Sequence, residues 1–288
     1  MTANKRRSLI SWLFLMPSLI GVGLFFVAPF GVVIYYSMID NPIRRNFVGL
    51  RNFATVFRNE AFRQAGLNTL KFSFVAVPLA VLLSLFLAAV MESRIPGKSY
   101  FRTFFLSPLM VPTASVVLIW QVLFNYNGLV NEFLMKFGMD RTDFLKSDKA
   151  QIVIVVLFLW KNLGYNMILF MAALASIPKE LVEVAMLENA TKFQVFWHVK
   201  VRFMSSTILF VTIMSLINSF KVFREVYLMT GDYPYHTLYM LQHFMNNTFG
   251  TLDYQKLSSA AIIMFIVVSA LVYVMYRVEN MYGRDIEG

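Results

Sequence analysis

The chain has 288 residues, 58% of them hydrophobic, and a mean hydropathy of +0.61. Soluble domains run nearer ~45–50% apolar, so an excess gathered into long runs marks a membrane protein. The formal charge of +10 forms neither a basic stripe nor a nucleic-acid-binding motif, and Lys and Arg beside anionic headgroups explain its sign more simply. With no cysteine, disulfides, thiolate metal sites and cysteine nucleophiles are excluded, and His198, His236 and His243 lack a metal-ligand spacing.

The first apolar run is Leu9–Met38, preceded by Lys5, Arg6 and Arg7. It is too long for a signal peptide and is not followed by a clean small-residue cleavage site, so it reads as an uncleaved helix with kinks expected at Pro17 or Pro29. Residues 40–68 are polar. The second span is Thr69–Met91, and a short basic turn, Glu92–Arg102, leads to the third at Thr103–Phe124. A mixed stretch, 125–149, precedes the fourth span, Ala150–Ser176. The fifth is Met204–Tyr227, a polar and aromatic connection fills 228–256, and the sixth is Leu257–Tyr276. Each run approaches the ~20 residues that a crossing helix needs, and helices satisfy their own backbone in hydrocarbon. The expected fold is an all-α polytopic membrane protein of six transmembrane helices. The basic N-terminus assigns both termini to the cytoplasm. Arg94, Lys98 and Arg102 in the inner turn agree; Arg44, Arg45, Arg51, Arg58 and Arg63, in the first external loop, run against the rule.

Between the fourth and fifth spans lies a charged segment. Ile177-Pro178 closes the fourth span, because proline cannot extend a helix interior. Lys179–Leu187 is predicted to be a helix on the membrane surface, with Leu181, Val184, Ala185 and Glu188 on one face. Glu180 and Glu183 near its start suit the helix dipole, and a small alanine on such a face permits close approach by a partner. Two readings stay open on these grounds: an amphipathic anchor in the interface, or a docking surface.

Gly97-Lys98-Ser99 ends like a phosphate-binding loop, but Glu92 stands where its first glycine belongs and a membrane helix precedes it where a strand is required. No nucleotide site is expected in this chain. Asn189-Ala190-Thr191 and Asn246-Asn247-Thr248 fit the glycosylation triplet, a pattern frequent by chance, and carry no weight.

Lys161 is the only charge in the middle of the fourth span, and an intramembrane charge is by default a functional candidate. Asn162, Tyr165 and Asn166 share a helical face that Lys161 flanks. Amide, phenol and ammonium groups bind sugar hydroxyls, and Trp160 offers a ring face. In the fifth span Asn218, Lys221 and Glu225 share a face, with Lys221 and Glu225 spaced to pair. The alternative for both sets is interhelical hydrogen bonding that holds the bundle together.

Glu183-Val184-Ala185, Asn189, Phe193-Gln194, Phe196 and Val199 resemble the EAA loop of ABC importer permeases, without a gap. Val184, Asn189 and Arg202 stand where that pattern has Ala, Gly and Pro. Asparagine tolerates positive φ, so Asn189 is expected to keep a left-handed turn, and Arg202 to let the chain run helically into the fifth span. Further blocks also resemble binding-protein-dependent sugar permeases, the MalF/UgpA-type half with a MetI-like membrane domain. They are Pro29-Phe30, Tyr36-Ser37, Phe47–Phe53, Trp160–Met167, Ala173-Leu174, Ser219–Phe223 and Met229–Gly231.

The resemblance implies a transport subunit in the bacterial inner membrane, not an enzyme. It implies a cytoplasmic segment at 1–8, a permease domain at 9–277 with a coupling loop at 177–203, and a cytoplasmic tail at 278–288. The ATPase-docking residues would be Glu180, Glu183, Val184, Ala185, Glu188, Asn189, Ala190 and Phe193. The substrate path would draw on Trp160, Lys161, Asn162, Tyr165, Asn166, Asn218 and Lys221. The implied partners are a second homologous permease forming a heterodimer, two ABC ATPase subunits that hold ATP and Mg, an external solute-binding protein, a sugar or oligosaccharide, and membrane lipids. No cofactor is expected on this chain. An ion-coupled secondary transporter is the rival reading; it needs intramembrane carboxylates or paired broken helices, and Glu225 is almost the only acid in the spans. A membrane enzyme would need clustered His, Asp or Glu, and the sequence has none.

Overall fold

The computed structural model describes residues 3–92 and 96–283. The ends of the expected terminal segments, 1–2 and 284–288, and residues 93–95 of the inner turn, Arg94 included, lie outside the described residues. The elements in chain order are α1 (Ala3–Val22), a π-helical stretch (Gly23–Val27), α2 (Ala28–Ser37), α3 (Arg51–Arg58), α4 (Glu60–Glu92), α5 (Lys98–Met110), α6 (Thr113–Leu123), α7 (Leu129–Lys136) and α8 (Ala150–Ala175). Then come α9 (Lys179–Leu187), α10 (Lys192–Gln194), a second π-helical stretch (Val195–Lys200), α11 (Val201–Phe203), α12 (Ser205–Phe220), α13 (Phe223–Thr230), a 3₁₀ turn (His236–Leu238), α14 (Leu241–Gly250) and α15 (Tyr254–Gly283). An isolated bridge joins Ile39 and Phe47, and no strand forms among the described residues.

Among the described residues five helices are long and apolar enough to cross a membrane, and a sixth span arises if the bent pair α5 and α6 counts as one. The fourth expected span coincides with α8 to within one residue. The third does not form a straight helix: α5 and α6 meet at a bend of 100°. Pro112 is the cause. It holds Val111 extended (φ −91°, ψ 126°) and cannot donate to the turn before it. The second span begins nine residues earlier than its apolar run, at Glu60, because the polar residues 60–68 continue the helix. The fifth is two helices, α12 and α13, separated at Lys221-Val222. The connection at 228–256 contains α14 and the start of α15. In the first span the irregularity falls at Gly23–Val27, where Ala28 N–H bonds to Gly23 O. Pro29 follows and its ring crowds the carbonyl one turn back, which accounts for the widened stretch. Pro17 lies inside regular α1.

The described residues divide into two compact units, 1–62 with 245–268 and 63–244 with 269–288. In the first unit no residue in the most apolar window of Ser11–Ser37 is buried. Phe30 packs on Phe265 with centroids 4.9 Å apart. The polar turn after α2 is organised by side chains: Asn52 Nδ2 donates to Ser37 O (2.9 Å) and Ile39 O (2.8 Å), and Asp40 accepts the N–H of Asn41 (2.7 Å) and of Asn46 (2.9 Å).

The second unit is built on α8, which buries Val153, Ile154, Leu157, Phe158, Met167 and Phe170. Phe72 of α4 meets Phe158 edge-on at 5.6 Å, and Val116 and Trp120 of α6 complete the same core with Val222 and Val226. Gly164 marks the closest approach: a Cβ there would lie 1.9 Å from Phe105 O, so only glycine lets α8 meet the α5 backbone. Short polar bonds cross between helices, Ser73 to Ser219 (2.7 Å) and Asn166 Nδ2 to Ser215 Oγ (3.0 Å). In hydrocarbon such groups hold helices together because water offers no alternative partner.

Candidate functional site

Two features carry chemistry, and both lie in the second unit. The first is a cavity of about 480 Å³ among α5, α6, α8, α12, α13 and α14, within the range of small-molecule sites. The break at Lys221-Val222 matters here, because it ends α12 and restarts the chain as α13 with Lys221, Arg224 and Glu225 facing the cavity. Lys161 Nζ donates to Glu225 Oε1 and lies 3.5 Å from Thr113 Oγ1. Glu225 is therefore the partner of Lys161, in place of the in-helix pairing with Lys221 that the spacing suggested. Asn218 Nδ2 donates to Asn162 Oδ1 (3.1 Å), and Asn162 Nδ2 donates to Phe158 O (2.8 Å), so the amides form a fixed polar ledge.

Of the sequence-derived path candidates, Lys161, Asn162, Asn218 and Lys221 line this cavity together; Trp160, Tyr165 and Asn166 are not among its lining residues. Trp160 packs near Trp120, with centroids 6.3 Å apart. Asn166 is buried and spends its amide on Ser215, so it serves interhelical bonding. Tyr165 is partly exposed on another side of α8. Thr113 and Gln242 also line the cavity. No single-helix periodicity finds them, since each comes from a different element; the proline break before Thr113 was the one available signal.

The second feature is α9 and its exit. Pro178 precedes the first turn, Glu180 sits in that turn, and no side chain of the helix is buried. Val184 is 55% exposed and Leu187 82%, which is an unusual outlay of apolar surface for a charged helix. Its C-terminus is a Schellman closure: Asn189 N–H bonds to Met186 O (3.1 Å) and Ala190 N–H to Ala185 O (3.0 Å). Asn189 has φ 58°, the left-handed conformation that its glycine-like place requires. Thr191 and Gln194 then form a reciprocal capping box that starts the next helical stretch. Helical backbone continues through Arg202 to Phe203, turns at Met204 (φ −91°, ψ 7°) and resumes as α12. A proline at Arg202 is not needed to make that turn. Phe193 is 72% exposed beside Trp197. Of the residues expected to dock, Glu180, Glu183, Val184, Glu188, Asn189 and Phe193 are all open to solvent, with Ala185 and Ala190 half-buried.

Residues 80–280 match the family described as the binding-protein-dependent transport system inner membrane component. The chain is 30% identical over 274 residues to the sn-glycerol-3-phosphate transport system permease protein UgpA of Escherichia coli O6:K15:H31, covering 93% of each sequence. The corresponding protein of Yersinia enterocolitica is 29% identical over 276 residues, with 94% of each covered. A bacterial ABC transporter involved in the import of the acidic polysaccharide alginate superposes with a TM-score of 0.82 at 20% identity, covering 96% of this chain and 97% of that one. That likeness speaks for the fold alone.

Proposed function

This chain belongs to the family of binding-protein-dependent transport system inner membrane components, and from that premise we propose how its parts divide the work. It is an importer permease of the bacterial inner membrane and not itself an enzyme. Saccharides are its proposed cargo, delivered by an external binding protein; the relative named for glycerol phosphate transport supports cargo rich in hydroxyls or acid groups. A sister permease forms the other half of the pathway, two ATPase subunits supply ATP hydrolysis, and the α9 side of the protein faces the cytoplasm.

The observation that carries this reading is α9 itself. A nine-residue helix that buries none of its own side chains, offers Val184 and Leu187 with Glu180 and Glu183, and ends in a Schellman turn is built to be covered by something else. Glu183 would meet a basic group of the ATPase, and Ala185 would allow close contact. Truncating one member of a desolvated charge pair costs ~2–5 kcal/mol. ATP-driven closure of the ATPase moves the docked helices, and the membrane helices rock as bodies to expose the cavity to one side and then the other. In the cavity the Asn162–Asn218 ledge presents donors and acceptors to hydroxyls, while Lys221 and Arg224, without an ion-pair partner among the described residues, offer two cations to acidic groups.

The test is Glu183→Lys in the assembled transporter. The variant should reach the membrane in normal amount, yet ATP hydrolysis should no longer depend on the loaded binding protein and uptake should be lost. Normal uptake by this variant removes the docking role from α9.

A further inference from the structure

A concavity of the second unit lies apart from both features. Between the C-terminal end of α4, the first turns of α5 and the last turns of α8 lies a groove of about 350 Å³. Its wall is apolar. Ile168, Met171, Ala172 and Ala175 recur on α8 at intervals of three and four residues, so they share a face, and Ala88 of α4 stands opposite. The alanines keep the groove open where larger side chains would fill it. Higher up, Gly164 clamps α8 against α5; beyond that clamp the helices leave this space between them.

The mouth of the groove is cationic. Lys98 and Arg102 stand one turn apart on α5, beside Glu92 at the end of α4. Glu92 does not cancel them, because Lys200 Nζ already donates to its Oε1 at 2.6 Å. Two positive charges are left over, and neither has an ion-pair partner among the described residues. The groove lies at the end of α8 that leads into α9, where a spanning helix emerges from hydrocarbon. An apolar trough closed by two cations at that depth is complementary to an amphiphilic anion. Arginine supplies a fork that fits two phosphate oxygens, and lysine adds a point charge.

We propose that this groove binds an anionic phospholipid, its phosphodiester held by Lys98 and Arg102 and an acyl chain laid along the Ala88–Ala172 wall. The partner of Glu92, Lys200, belongs to the helical stretch that leaves the docking loop. Lipid occupancy therefore bears on a segment joined to α9, although the site stands whether or not α9 docks an ATPase. A soluble phosphate shares the headgroup chemistry but makes no use of the apolar wall.

The experiment places the assembled transporter in phosphatidylcholine nanodiscs with or without phosphatidylglycerol, and reads retained phosphatidylglycerol by native mass spectrometry. Each cation contributes about fivefold near a membrane surface, so the paired change Lys98→Gln with Arg102→Gln should weaken retention roughly 25-fold. Lys98→Arg should retain the lipid. Ala172→Trp fills the wall without touching charge and should lower retention as well; it also serves if the glutamine variant fails to fold. Wild-type retention in the glutamine and tryptophan variants overturns the proposal. Displacement of the bound anion by inorganic phosphate alone, with Ala172→Trp behaving as wild type, overturns it in favour of a soluble-anion site.

Discussion

Removing both members of the Lys161–Glu225 pair should cost well under the sum of the two single removals. The Glu225 side chain is 11% exposed and that of Lys161 24%. Breaking a fully buried pair costs ~3–5 kcal/mol, because the remaining charge is stranded away from water. Lys161 opens onto the cavity and keeps part of its hydration, so Glu225→Gln should cost about 2 kcal/mol. Lys161→Gln strands the more enclosed carboxylate and should cost about 3 kcal/mol. The double variant strands nothing and should cost about 2 kcal/mol, mainly for imperfect packing, which leaves a coupling near ~3 kcal/mol. The assay is unfolding of the purified protein in mixed micelles by titrated dodecyl sulfate, followed by circular dichroism, for wild type, both singles and the double. Additivity within ~0.5 kcal/mol would refute the reasoning, since it would mean that the two charges are hydrated independently.

Gly164→Ala should fail to fold or lose about 3 kcal/mol, because its Cβ would sit 1.9 Å from Phe105 O and backbone cannot step aside; the yield of monodisperse protein after detergent extraction measures it. Asn189 at φ 58° should accept glycine without loss, whereas Asn189→Val should cost about 1–2 kcal/mol and reduce uptake with it; equal uptake by the two variants would show that the left-handed turn is dispensable. His243 of α14 is fully enclosed, and burial lowers its pKa from 6.5 to about 4. The unfolded chain therefore takes up the proton first, so stability is full above pH 6.5 and falls as pH drops towards 4, by up to about 3 kcal/mol. Thermal unfolding of wild type against His243→Gln across that interval should show the slope only in the wild type.

Much of this was legible in the residues. Apolar run length located α8 and the long helices, because crossing hydrocarbon imposes a length that any sequence must show. Helix α9 was legible to the residue: Pro178 fixes its start, and Asn189 fixes its stop through a local φ requirement. Where a proline stood inside an apolar run the sequence was less decisive. Pro17, Pro78 and Pro108 sit within regular helices, whereas Pro112 turns the chain by 100°, and the difference depends on what each helix packs against.

The cavity marks the boundary between the two kinds of information. Composition and helix phase put Lys161, Asn162 and Asn218 on polar faces, since phase is a property of one helix. They could not say that Asn166 turns to Ser215, that Glu225 leaves Lys221 for Lys161, or that Thr113 and Gln242 join the wall. Those outcomes depend on how far one helix is rotated and shifted against another, and Gly164, with the bend at Pro112 and the break at Lys221, sets that register only once the helices are packed.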